Sequence, residues 1–456
     1  MKRTSLPPGI IAVFLLSLAY WLYLAHATRM NISCDAIGYQ DLGRLLQNHG
    51  LLGYFQTGPN REPIYPLLVA ASMHLEHITG LAYVRIMAIF GVLILLLTQA
   101  LTYKILRLLN IRDGVCALVL AYLALSPALN NTAFSLYSEI SALPFILGIV
   151  LASYYAWEAI KQNNRQGAMG YSALLGILLA AATLIKAVFE CVSPVYLIIF
   201  FMTISLTEKS KKITTLLLCL AAAVSFFYVP ITGYKWLNKQ YNGNFAITNR
   251  ASWALYGNTA RRMQPLTVKR FAEALAYAPG EGVCNSIFGA QECDFWSYRE
   301  SDQLGHDEEG GLINRHLSHE EINAALIRAS AQKALHNPFQ YTLLTLVEGL
   351  KMFFWESTQI GFVDYPHWLK RIYDIKILNN GLRFLASLVS LMAVVSIWLQ
   401  AFAPQRNPLG FLIGLLVFLY ILFFSFFFIL TRYALPIAPL YLISIGIWIN
   451  QNAKNH

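Results

Sequence analysis

The chain has 456 residues, 57% of them hydrophobic and 13% charged, with a net charge of +10 and a mean hydropathy of +0.50. A soluble domain carries roughly a quarter charged residues, so a water-soluble globule is excluded. The apolar excess falls in blocks long enough for the roughly 20 residues that cross a hydrocarbon core of ~30 Å. Backbone groups there must be satisfied within the segment, so the expected fold is all-α and polytopic.

In chain order, the blocks predict about ten transmembrane helices at 9–27, 82–106, 114–130, 140–157, 170–186, 188–206, 213–233, 382–402, 409–430 and 433–450. The first reads as a retained signal anchor, although Ala25-His26-Ala27 resembles a cleavage site. Residues 64–78 are interrupted by His74, Glu76 and His77 and read as a segment resting on the outer membrane face. No internal repeat and no Gly/Pro-broken span stands out.

Three parts follow: a seven-helix block 1–233 whose long first outer loop is 28–80, an extracytoplasmic segment 234–381, and a three-helix block 382–456. The middle segment holds Trp253, Tyr256, Phe271, Phe288, Phe295 and Trp296 and is no linker. Ser318 ahead of Glu320 and Glu321 predicts a capped helix over 318–336, stopped at Asn337-Pro338. Residues 339–356 predict an amphipathic helix; Glu348 and Lys351 favour a place on the membrane surface over a span. Cys284 and Cys293, nine apart around Gly289, suit a disulfide in an oxidising compartment; two free thiols are the alternative.

With Lys2 and Arg3 in the cytoplasm, the inner loops hold Lys104, Arg107, Arg112, Lys161, Arg165, Lys209, Lys211, Lys212, Arg406 and Lys454. Only Asp113, Glu158 and Glu208 oppose them, while 234–381 balances fifteen basic against fifteen acidic residues. The basic excess is therefore an orientation signal that places both termini in the cytoplasm, and it does not point to nucleic acid.

Polar residues gather near the outer face. Asp35, Tyr39, Leu42 and Leu46 share one helical face, and after Gly50 and Gly53 comes Arg61-Glu62-Pro63-Ile64-Tyr65-Pro66. Tyr137-Ser138-Glu139 opens the fourth span, and Arg432-Tyr433-Ala434-Leu435-Pro436-Ile437-Ala438-Pro439 opens the last. In order and placement, this pattern resembles the GT-C glycosyltransferases, closest to the branch of protein O-mannosyltransferases and lipid A aminoarabinose transferases. The resemblance covers about 30 residues in motif and the whole chain in topology. Many relatives carry two adjacent acids at the first motif. Here Ala36 follows Asp35, so the sequence does not indicate a divalent metal.

The resemblance implies inverting sugar transfer, on the outer face of a bacterial inner membrane, from a polyprenyl-phosphate donor to a glycolipid, glycan or protein acceptor. Asp35 would be the base, Arg61, Arg432 and Lys186 the cations for the donor phosphate, and Tyr39, Glu139 and Tyr433 further substrate-binding residues. Each has a plainer reading. Asp35 suits a helix N-cap, and Tyr39 suits an interfacial belt. Arg61 has Glu62 and Glu76 as partners, Lys186 has Glu190 four residues on, Glu139 can be solvated, and Arg432 can snorkel to lipid phosphates. His49, His74 and His77 read as structural or interfacial residues: His74 and His77 are three apart with Glu76 between, and no third ligand is indicated. A transporter or flippase of lipid-linked glycans and a surface-polysaccharide polymerase or ligase are the rival functions.

Overall fold

The computed structural model describes residues 6–207, 213–356, 361–401 and 407–453. Of the orienting charges, Lys2, Arg3, Glu208, Lys209, Lys211, Lys212, Arg406 and Lys454 lie outside the described residues.

The N-terminal block runs through Pro8–Ala27 (α1), Asp35–Gln56 (α2), Ile64–Thr79 (α3), Tyr83–Leu108 (α4), Asp113–Leu125 (α5) and Pro127–Ala133 (α6). Glu139–Lys161 (α7), Arg165–Thr183 (α8), Phe189–Thr207 (α9) and Ile213–Asn242 (α10) complete it. The middle segment folds as Ala251–Arg262 (α11), Val268–Tyr277 (α12), Glu281–Phe288 (α13), Ala290–Asp294 (α14), Tyr298–Ile313 (α15), His319–His336 (α16), Pro338–Leu350 (α17) and His367–Tyr373 (α18). Lys376–Ala401 (α19), Pro408–Phe424 (α20), a 3-10 turn Thr431–Ile437 and Ala438–Asn452 (α21) close the chain. A two-residue strand pair, Arg29–Met30 (β1) against Val363–Asp364 (β2), ties the first outer loop to the far side of the middle segment.

Among the described residues, eight helices are long and apolar enough to cross a membrane, the last being the turn Thr431–Ile437 continued by α21. The other two expected spans differ. Instead of one helix over 114–130, α5 and α6 meet at a 51° bend, where Pro127 takes the first position of α6 and the Ser126 hydroxyl accepts from the Leu129 N–H. The chain thus bends where the sequence reading expected one continuous helix. The expected 409–430 span ends at Phe424, leaving the 17-residue α20. The 170–186 span ends at Thr183, so Lys186 sits in a turn.

Burial sorts the spans. The spanning stretch of α7 is 72% buried and that of Thr431–Asn452 is 78%, against 22% for α1. The two innermost spans therefore each carry an ionisable residue, Glu139 or Arg432, at their first turn. The hairpin of α2 and α3 packs tightly because Gly43 leaves room for Val69, whose Cγ1 would lie 2.6 Å from any added Cβ.

The middle segment has its own small cores, one of Tyr256, Leu312, Ile322 and Leu326 and one of Ala274, Trp296, Leu344 and Val347. Cys284 and Cys293 are disulfide-bonded within it. In α16 the Ser318 hydroxyl and the Glu321 side chain form a reciprocal capping box. Glu348 in α17 and Lys351 in the 3-10 turn after it do not face water as their charge suggested: they are buried, 3% and 4% exposed.

Candidate active site

Helix α2 opens after Cys34, whose left-handed φ of 50° turns the chain out of the first span. Asp35 is the helix's first residue and Cys34 its cap position, so the Asp35 side chain does not cap; it binds two guanidiniums. Arg61 Nη2 donates to Asp35 Oδ1 at 2.6 Å, and Arg432 Nη2 donates to Asp35 Oδ2. Burial by itself raises the Asp35 pKa, but the charges of Arg432 and Arg61 outweigh it and hold the carboxyl down to about 2.

Arg61 is set by the loop between α2 and α3. The Tyr54 hydroxyl donates to the Arg61 carbonyl, and the guanidinium lies 4.4 Å over the Tyr39 ring. Its expected partner Glu62 turns the other way: its Oε1 accepts the Ala187 N–H at 2.9 Å. The Ile64 N–H likewise donates to the Leu184 carbonyl. These two bonds dock the Arg61 loop on the turn that carries Lys186.

Lys186 does not pair with Glu190. Its Nζ donates to Glu139 Oε1 at 2.9 Å, while Glu190 takes Lys235. Each acid takes a cation from another element, Glu139 from the turn after α8 and Glu190 from α10. Arg432 Nε lies 3.9 Å from Glu139 Oε1, and its guanidinium stands over the rings of Tyr137 and Tyr433. Tyr39 bonds Ser138 Oγ at 2.8 Å and meets the Tyr65 ring edge-on. The residues singled out in the sequence thus form one alternating chain, Arg61–Asp35–Arg432–Glu139–Lys186, with one more cation than acid. Exposure of the side chains runs from 3% at Glu139 to 30% at Asp35.

Sequence reasoning missed several neighbours. A cavity of about 20 Å³, room for about one water, lies beside Glu139 and Arg432 and is also lined by Asn131, Tyr137, Trp355 and Thr431. Glu139 Oε2, Arg432 Nε and Asn131 Oδ1 are buried there without a hydrogen-bond partner among the described residues. Tyr137 and Ser138 lay within the quoted motif, but Asn131 and Trp355 carried no local signal. An apolar groove of about 450 Å³ runs between α8 and α10 under Ile64, Leu184, Phe226 and Val229. Its upper edge is the Ile64–Leu184 bond, three residues from Arg61 and two from Lys186. Among the described residues, no three His, Cys, Asp or Glu side chains gather as a metal-ligand set; His74 and His77 are exposed.

Chemically, the arrangement offers one carboxylate at the surface of a mostly buried cationic site. An incoming phosphate would find two guanidiniums in fork geometry and an ammonium.

No family model matches the chain, and no curated protein sequence matches it. Among solved structures it is similar to the crystal structure of ArnT from Cupriavidus metallidurans bound to undecaprenyl phosphate, at 13% identity and a TM-score of 0.35, over 97% of this chain and 78% of that one.

Proposed function

We propose that the chain is a membrane glycosyltransferase that moves a sugar from a polyprenyl-phosphate donor to an acceptor on the outer face of a bacterial inner membrane. The observation that carries this reading is Asp35 held between Arg61 and Arg432. The apolar groove lined by Ile64 and Leu184, whose backbones are hydrogen-bonded to each other, supports a donor with a lipid tail.

In the proposed step the acceptor hydroxyl attacks the anomeric carbon as the carbon–oxygen bond to the lipid phosphate breaks. Polyprenyl phosphate leaves with the bonding electrons, the acceptor proton passes to Asp35, and the anomeric configuration inverts. Arg61, Arg432 and Lys186 meet the charge that grows on the leaving phosphate in a site of low dielectric. In the free protein Asp35 is a weak base because both its oxygens are engaged by arginines. A bound phosphate draws those guanidiniums to itself and returns basicity to Asp35 when it is needed. Tyr39, Tyr433 and Glu139 line the sugar side.

Mass spectrometry of envelope lipids, glycans and proteins tests the reading in null, wild-type and Asp35→Asn strains. A sugar-sized mass absent from both null and Asp35→Asn, with the variant inserted at normal level, is expected. The interrupted span at Ser126-Pro127 favours a second reading, a flippase of lipid-linked glycans, since transporters use broken helices. Sugar lost in the null but retained in Asp35→Asn would select that reading.

A further inference from the structure

Helix α20 stops at Phe424, where Ser425 is the single polar residue before the apolar run Phe426-Phe427-Phe428-Ile429-Leu430, and the stretch has no proline or glycine. Its backbone there is taken up by side chains from the middle segment. Arg262 Nη2 donates to the Ser425 carbonyl at 2.5 Å and to the Phe427 carbonyl at 3.4 Å. Asn258 Nδ2 donates to the Phe426 carbonyl at 3.1 Å, and Glu348 Oε1 accepts the Ile429 N–H at 2.9 Å. The polar groups a helix would have paired internally are thus paired across the domain boundary. The next polar side chains along the chain are Thr431 and Arg432.

The clamp is itself braced. Arg261 Nη2 donates to Asn258 Oδ1 at 2.7 Å and to Glu348 Oε2 at 3.2 Å, and Lys351 Nζ donates to Glu348 Oε1 at 2.7 Å. Arg261 and Arg262 are both essentially fully buried. Burial pushes the Glu348 carboxyl up, and the charges of Lys351, Arg261 and Arg262 overcome that and hold it at about 2. A buried ionic cluster carrying more cations than acids is weak support for bare stability. Its geometry serves a definite end.

We propose that Asn258, Arg262 and Glu348 are positioning residues that clamp residues 425–429 and so hold the Arg432 guanidinium where it meets Asp35 and the donor phosphate. The middle segment and the phosphate site then behave as one unit, and a movement of that segment on its α17 side withdraws Arg432. The assignment of a phosphate to Arg432 rests on the function proposed above; the clamp does not.

Two measurements on the full chain in lipid nanodiscs separate these. The first is hydrogen exchange of residues 425–437 in the lipid-free-ligand state, comparing wild type, Arg262→Gln and the conservative Arg262→Lys. Faster exchange confined to 425–437 in Arg262→Gln, partly restored in Arg262→Lys, is expected. Unchanged exchange, or exchange raised equally throughout the chain, overturns the clamp. The second is undecaprenyl phosphate binding in a double-mutant cycle. Arg262→Gln should weaken binding about tenfold in the wild-type background and less than about twofold in Arg432→Gln, because coupled residues are non-additive. Equal losses in both backgrounds overturn positioning through Arg432. If wild type itself does not bind undecaprenyl phosphate while exchange responds as expected, the donor reading falls and the clamp stands. Asn258→Leu repeats both measurements without removing a charge, should Arg262→Gln fail to fold.

Discussion

Replacing Asp35 by Asn should move binding and chemistry in opposite directions. In the free protein the carboxylate occupies both guanidiniums proposed to bind the donor phosphate, so on that proposal it competes with the phosphate as well as serving the reaction. Two unit charges roughly 5 Å apart repel by about 0.8 kcal/mol in water and about 3 kcal/mol at an effective dielectric near 20. The Asp35 side chain is 30% exposed, which puts the relief nearer the middle, roughly 1.5 kcal/mol or about a tenfold gain in affinity. Loss of the base should lower sugar transfer by about 10²–10⁴-fold. The assay is undecaprenyl phosphate titration of purified wild-type and Asp35→Asn protein in nanodiscs, paired with turnover on a polyprenyl-phosphate sugar and with apparent Tm as a control for folding. Tighter phosphate binding with collapsed turnover is the expected pair. Weaker phosphate binding by a variant of normal Tm would refute the competition, and retained turnover would refute the assignment of the base.

The pH profile should separate free and loaded states. Asp35 sits at about 2 in the free protein, so kcat/KM should stay level from pH 7 down to about 4, whereas kcat, which reports the loaded complex, should fall at a higher pH. A kcat/KM limb above pH 5 would contradict that. The Arg–Asp35 contribution to stability follows the same sign: a depressed carboxyl stabilises fully above its unfolded value near ~3.9 and loses that contribution as pH falls toward about 2. Lys186→Met removes the nearer of two cations from Glu139, 3% exposed, and leaves Arg432 3.9 Å away; the cost should fall below the roughly 3–5 kcal/mol of a fully uncompensated buried charge. The double variant Lys186→Met/Glu139→Gln should regain most of the lost apparent Tm and little turnover; a Tm that stays low would count against the pairing. Removing the Cys284–Cys293 link by Cys→Ser at both positions should loosen the middle segment by about 2–3 kcal/mol on loop entropy. Limited proteolysis would show it as faster cleavage within 234–381, and unchanged cleavage would refute it.

The legible part of this protein is the part that each segment settles with the solvent. Whether a block such as 82–106 enters a bilayer depends on its own composition, so the membrane-crossing helices and their order follow from hydropathy. Asp35, Arg61, Glu139 and Arg432 stood out for a related reason, because ionisable groups at the ends of apolar blocks are conspicuous wherever they fold. Partnership was not legible. Lys186 had Glu190 one turn away in sequence, yet it pairs with Glu139, 47 residues distant. The sequence marks the end of α20 only with Ser425: the residues from Phe426 to Leu430 are apolar, and the carbonyl of Ser425 is met by Arg262, 163 residues away. Glu348 and Lys351, three residues apart, read as groups seeking water because the sequence does not show Arg261 and Arg262 meeting Glu348 in the interior. Composition determined which segments leave water. Tertiary structure alone decided which charges and carbonyls meet, because a buried polar group takes whatever partner the packing brings within about 3 Å, and sequence distance has no part in that choice.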